Sequence, residues 1–153
     1  ANHVSTLFPE VRLKRYLEMR GADAGPREHL AALPAFWVGL LYDSTALDQA
    51  LQLVKGWTDE DRENLRADVP RLGLSAMIAG RPVRDVARDA VALAREGLAR
   101  RGHKDAGGED ESRYLAPLDA ILDRGRTRAE ELIGRFEGPW GRSVLPAFTE
   151  CVF

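Results

Sequence analysis

Between Glu10 and Arg20 the chain reads Glu-Val-Arg-Leu-Lys-Arg-Tyr-Leu-Glu-Met-Arg. Taken with the two-residue period of an extended backbone, the side chains divide between two faces. Val11, Leu13, Leu17 and Met19, interrupted by Arg15, fall on one. Arg12, Lys14, Tyr16, Glu18 and Arg20 fall on the other. A surface carrying cations, a phenol and a carboxylate cannot enter an apolar core without partners. It suits a polyanion and a metal ion, because Arg and Lys hold phosphate oxygens and a carboxylate among them can hold Mg²⁺. Glu18 and Arg20 would stand about 6.6 Å apart along a strand rising roughly 3.3 Å per residue. The competing reading is the solvated face of an antiparallel strand, steadied by lateral ion pairs. Spacing alone leaves both open.

The elements that must position these residues can be read along the chain. Residues 8–20 read as a single strand, expected to be central, and residues 26–153 as a helical region. Gly21 to Gly25 reads as a loop. Asp23 within it either orients a ligand or, the simpler expectation, caps the next helix. Pro26 suits a first helical position, and a helix follows to about Tyr42, bent near Pro34 where a donor is missing. Its Phe36–Leu41 stretch is apolar all round and is expected to be deeply buried. Ser44 caps a helix stopped by Gly56. Thr58 caps another, rich in early acids and closed by Pro70. Residues 71–81 are ambiguous. Pro82 opens the longest helix, to about Arg101, with Val83, Val86, Ala90, Leu93 and Leu98 as its buried stripe and Glu96–Arg100 as a supporting pair. Residues 102–112 read as an exposed loop. A helix follows near Leu115–Leu122, then a capping box at Thr127–Glu130, a turn at Gly138–Gly141 and a short helix over Ser143–Phe148. One strand cannot make a sheet, so its neighbours are expected outside this chain.

Composition narrows the function classes. The chain has 153 residues, a formal charge of −2 and one cysteine, Cys151. No general attraction to nucleic acid or anionic membrane is implied. No run of about 18 apolar residues occurs. The basic cluster Arg100-Arg101-Gly102-His103-Lys104 suits the end of a helix better than a nucleic-acid backbone, for want of interleaved aromatics. His3, His29 and His103 have no metal-ligand spacing. Cys151 lacks the setting of a reactive thiol. A lone cysteine fits a reducing cytosol.

The segment His3–Asp23, with its Tyr-Leu-Glu-Met-Arg-Gly-Ala-Asp block at 16–23, closely resembles the plant and proteobacterial type of glutamate–cysteine ligase. The likeness continues through Ala32-Leu33-Pro34-Ala35-Phe36-Trp37 to Asp43, and reappears at Gly97–Gly102 and at Trp140-Gly141-Arg142-Ser143-Val144. The resemblance implies an α+β, glutamine-synthetase-like catalytic domain, of which residues 1–153 look like the C-terminal portion. A start on Ala-Asn-His before a strand fits a cut through a longer protein. It implies ATP-dependent joining of the γ-carboxylate of L-glutamate to L-cysteine through γ-glutamyl phosphate, the first step of glutathione biosynthesis, with Mg²⁺ and ATP. It assigns metal ligation to Glu18 and contact with the transferred phosphoryl group to Arg20. Arg12, Lys14 and Tyr16 are carried only as residues lining the nucleotide site. The plant type carries a regulatory cysteine just before the Ala-Leu-Pro-Ala-Phe-Trp block, where this chain has Ala31, so that switch is not expected. The alternatives are a non-enzymatic helical domain that binds an acidic partner, or a related carboxylate–amine ligase with another acceptor.

Overall fold

The computed structural model describes residues 10–22 and 25–151. His3, Asp23 and residues 8–9 of the expected strand lie outside them. Strand β1 covers Val11–Leu13 and β2 covers Leu17–Met19. Helices follow: α1 Arg27–Leu41, α2 Ser44–Val54 and α3 Asp59–Leu72. A short hairpin of β3 (Met77–Ile78) and β4 (Arg81–Pro82) precedes α4, Val83–Arg101. Then come α5 Ala116–Arg124, α6 Arg128–Glu137 and α7 Ala147–Glu150. The protein is mostly helical with a few short antiparallel strands.

The expected single strand over residues 8–20 is not formed. The chain folds back at Lys14-Arg15-Tyr16, and β1 pairs antiparallel with β2. The register sets Val11 opposite Met19, Arg12 opposite Glu18 and Leu13 opposite Leu17. The expectation of one strand fails because the turn has no Gly, Pro, Asn or Asp to announce it. A second hairpin, β3 paired with β4, forms at the ambiguous stretch. Ala79 and Gly80 both adopt positive φ, 47° and 76°, at its tip, as a two-residue hairpin turn requires.

The helical core centres on the crossing of α1 and α4. Ala35 and Leu40 from α1 meet Val91, Ala94 and Leu98 from α4, with Leu115 and Leu122 closing the cluster. The crossing is unusually close. A Cβ on Gly97 would stand 1.9 Å from the Gly39 carbonyl oxygen, and one on Gly39 would stand 2.2 Å from that of Ala94. The buried positions of α4 are Val91, Ala94, Gly97 and Leu98. The expected stripe therefore rotates: Leu98 is kept, while Val83, Val86, Ala90 and Leu93 are only half-buried. Small residues take the contact line because the backbones themselves touch. Phe36, Trp37, Val38 and Leu41 of α1 are likewise half-buried, packed around the cluster and not fully enclosed.

Helix ends follow local chemistry closely. Thr58 caps α3, bonded reciprocally with Asp61, and Thr127 caps α6, bonded reciprocally with Glu130. Asp43, not Ser44, caps α2, its carboxylate accepting from the Ala46 amide at 2.8 Å. Pro70 does not close α3, which runs on to Leu72 before Gly73 turns the chain at φ 51°. Gly102 ends α4 in the left-handed region, φ 68°. Helices α1 and α2 meet at 92°, and no single helix among the described residues is long and apolar enough to cross a membrane.

Candidate functional site

Antiparallel pairing preserves side-chain parity. Positions 12 and 18 share a face whether the segment is straight or folded back, so the charged face survives the change from strand to hairpin. Folding alters the distances instead. In a straight strand Arg12 and Glu18 would stand about 20 Å apart, at roughly 3.3 Å per residue. In the hairpin Arg12 Nε donates to Glu18 Oε2 at 2.6 Å. Lys14 Nζ lies 3.8 Å from the same oxygen, and also 5.9 Å from the centroid of the Tyr16 ring.

Arg20 lies one residue past β2 and extends the ladder, its amide donating to the Glu10 carbonyl at 2.8 Å. The Arg12 hydrogen bond holds the Glu18 carboxyl below its usual range, and the charges of Arg12, Lys14 and Arg20 add in the same direction. The same bond raises the Arg12 guanidinium above its usual value. The hairpin thus brings Arg12, Lys14 and Glu18 into contact and adds the charge of Arg20 at Glu18. Tyr16 and Arg15 occupy the turn, exposed. Arg15, which broke the apolar face in the sequence, is simply the tip.

The hairpin is open on its other side too. Val11, Leu13 and Leu17 are 47%, 79% and 56% exposed. The base is tied to α3 by Glu10 and Arg66, 3.7 Å apart. Beyond it, an apolar cavity of about 410 Å³ is lined by Ala22, His29, Leu33, Phe36, Val91 and Leu122, among others. No sequence reading singled this cavity out. Leu30, Leu33 and Phe36 give it a weak helical spacing, indistinguishable from ordinary core patterning. His29 is half-buried at its edge, and His103 is exposed in the loop after α4.

Two members of the basic cluster at 100–104, Arg100 and Arg101, are committed to internal partners. Arg100 Nη2 pairs with Asp43 at 2.9 Å and Nη1 with Glu96 at 3.4 Å. Arg101 lies 3.6 Å from Glu111 and over the Tyr42 ring. Both lie in the last turn of α4, the helix-end position expected of them, with carboxylates as their partners. Cys151 is half-buried, with Arg128 Nη2 3.5 Å from its sulfur. Among the described residues no group of three or more His, Cys, Asp or Glu side chains is arranged to hold a metal.

The chain belongs to glutamate-cysteine ligase family 2, whose model matches residues 1–148. Its relatives include the chloroplastic glutamate–cysteine ligase of Nicotiana tabacum, 49% identical over 99% of this chain and 28% of the relative. Glutamate–cysteine ligase A of Oryza sativa subsp. indica is 49% identical over 99% of this chain and 30% of its own length. The enzyme of Arabidopsis thaliana is 49% identical over 99% and 28%. The chain therefore spans less than a third of the length of the curated relatives it matches.

Proposed function

We propose that this chain is the C-terminal portion of the catalytic domain of a glutamate–cysteine ligase, and that the charged face of its first hairpin contributes to the nucleotide site. The observation that carries the reading is the contact of Arg12 and Lys14 with the single carboxylate of Glu18, to which the charge of Arg20 adds, in a chain whose family is named for glutamate–cysteine ligation and whose resemblance implies ATP dependence. The full polypeptide joins the γ-carboxylate of L-glutamate to the amine of L-cysteine. The carboxylate attacks the terminal phosphoryl group of ATP, giving γ-glutamyl phosphate and ADP, and the cysteine amine then displaces phosphate.

Both steps press anions together, so the protein must neutralise and align them. Arg20 faces the transferred phosphoryl group and offsets its charge. Lys14 and Arg12 line the polyphosphate, and Tyr16 borders it at the turn. Glu18 is the one carboxylate between residues 11 and 20. A lone carboxylate suits Mg²⁺ that arrives on phosphate oxygens, since that ion is commonly held by one or two carboxylates plus the substrate's phosphates. It does not suit a cage made by protein alone. When bound, the ion supplies Lewis-acid polarisation of the phosphoryl oxygens.

In the whole enzyme, β1 and β2 join a glutamine-synthetase-like antiparallel sheet whose remaining strands come from the longer polypeptide. The relatives are chloroplastic, which points to a plastid in place of the cytosol expected from a single cysteine. The test is ADP release from the polypeptide of full family length. Release that requires both glutamate and cysteine supports the reading. Release with another amine acceptor in preference to cysteine would assign a different carboxylate–amine ligase. The 153 residues alone should release little or no ADP.

The lateral Arg12–Glu18 bond is the observation that favours a second reading. In it the hairpin is a solvated face of a non-enzymatic helical domain that docks an acidic partner. Under that reading binding through the hairpin is indifferent to Mg²⁺.

A further inference from the structure

Both cationic contacts of Glu18 fall on one oxygen. Arg12 Nε donates to Oε2 at 2.6 Å and Lys14 Nζ lies 3.8 Å from Oε2. Oε1 takes part in neither. The cause is the register, which sets Arg12 directly across the hairpin from Glu18. Lys14 sits in the turn, beyond hydrogen-bond range, where it contributes charge without fixing geometry. A guanidinium presents its donors in a rigid planar fork and so fixes direction as well as charge. The two side chains of the bonded pair remain 40% and 31% exposed, so the carboxylate is fastened without being enclosed. Carboxylates that ligate metals are themselves held by hydrogen bonds, and those partners set which oxygen faces the ion.

We propose that Arg12 is a positioning residue for the metal ligand: its Nε–H fastens Oε2, so that Glu18 offers Oε1 alone, as a monodentate ligand, to the divalent cation carried by the nucleotide. This rests on the reading of Glu18 as the metal ligand. It moves Arg12 from a general role along the polyphosphate to a specific one behind the carboxylate. Charge and orientation pull in opposite directions here. By charge alone, removing a cation beside Glu18 would tighten a divalent ion. By orientation, removing it loosens the ion. The sign of the change therefore separates the two.

The experiment measures Mn²⁺ affinity by electron paramagnetic resonance, in the polypeptide of full family length with a non-hydrolysable ATP analogue bound. Four variants are compared with wild type: Arg12→Ala, Arg12→Lys, Glu18→Gln and the double Arg12→Ala/Glu18→Gln. Arg12→Ala is expected to weaken Mn²⁺ about tenfold, within the roughly 10–100-fold range for orienting partners. The double variant should be no weaker than Glu18→Gln alone. Arg12→Lys keeps the charge and loses the fork, so it should also weaken binding, and it serves if Arg12→Ala does not fold. Unchanged or tighter binding in Arg12→Ala or Arg12→Lys, with Glu18→Gln still weakened, overturns the role of Arg12 and leaves the ligand reading intact. Losses that add in the double variant overturn it equally, since Arg12 would then act on the nucleotide and not through Glu18. Wild-type affinity in Glu18→Gln overturns both.

Discussion

At residues 11–20 the chain sets cations around one carboxylate on a short hairpin that is exposed on both sides. At the crossing of α1 and α4 it has removed side chains instead, so that Gly39 and Gly97 let two backbones touch. The hairpin packs chiefly on itself and its defining contact is an ion pair open to solvent, which contributes little to stability. The crossing buries the core of the molecule, and no charged side chain among the described residues is buried with it. Stability resides in the helical body, and the chemistry proposed for this chain lies at its edge. A change in the hairpin should therefore alter binding and turnover with little effect on unfolding, and a change at the crossing should do the reverse.

The largest effect expected is on turnover. In the polypeptide of full family length, Arg20→Ala should lower ADP release by about 10²-fold or more, as loss of a preorganised electrostatic donor does, with an unchanged thermal midpoint. Turnover near wild type would remove Arg20 from the phosphoryl site. At the crossing, Gly97→Ala should destabilise by about 2 kcal/mol. A Cβ 1.9 Å from a backbone oxygen sets the overpacking cost at the upper end of the roughly 1–3 kcal/mol range, and about 1 kcal/mol of it is offset when alanine replaces glycine in a helix. A lower denaturant midpoint at constant m-value checks this. Gly134 in α6 has nothing within 4 Å of an added Cβ, so Gly134→Ala should instead stabilise by up to about 1 kcal/mol. If both alanines stabilise, the crossing is looser than described. Thr127→Ala should cost about 1 kcal/mol by removing the α6 cap.

The smallest effect is the pH response of the hairpin. The Glu18 carboxyl is held below its ordinary range, chiefly by the Arg12 hydrogen bond. A group depressed in the folded state adds stability that is present above its unfolded pKa, near about 4.3, and lost as pH falls through the folded value. Carbon-detected NMR titration should place Glu18 below an ordinary glutamate, and Arg12→Ala should move it back up. No movement would mean that the cross-hairpin bond is not formed in solution.

Much of this architecture was legible where the signal is local. The Thr58 cap, the capping box at Thr127, the Gly102 stop and the Glu96–Arg100 pair all involve residues within four positions of each other, and types and spacing suffice for them. The face carrying Arg12, Glu18 and Arg20 was legible for another reason: parity survives a symmetric fold-back. The fold-back itself was hidden, because Lys14-Arg15-Tyr16 continues the alternation through the turn. The partner of Glu18 was hidden with it, since Arg12 is near only after pairing. The β3–β4 hairpin is not legible, although Ala79-Gly80 supports a tight turn, because strands of two residues give no period to count. Asp43 capping α2 while also binding Arg100 from the end of α4 depends on how those helices pack, which no local pattern contains.

Equilibrium binding of a Mg²⁺-loaded, non-hydrolysable ATP analogue, measured by calorimetry on the polypeptide of full family length, tests the central assignment most directly. Arg15→Ala, at the exposed tip of the same hairpin, is the internal control. Binding should weaken at least tenfold in Glu18→Gln and in Arg20→Ala and stay at wild type in Arg15→Ala. Wild-type binding in the first two, or an equal loss in all three, would contradict a nucleotide site on this face.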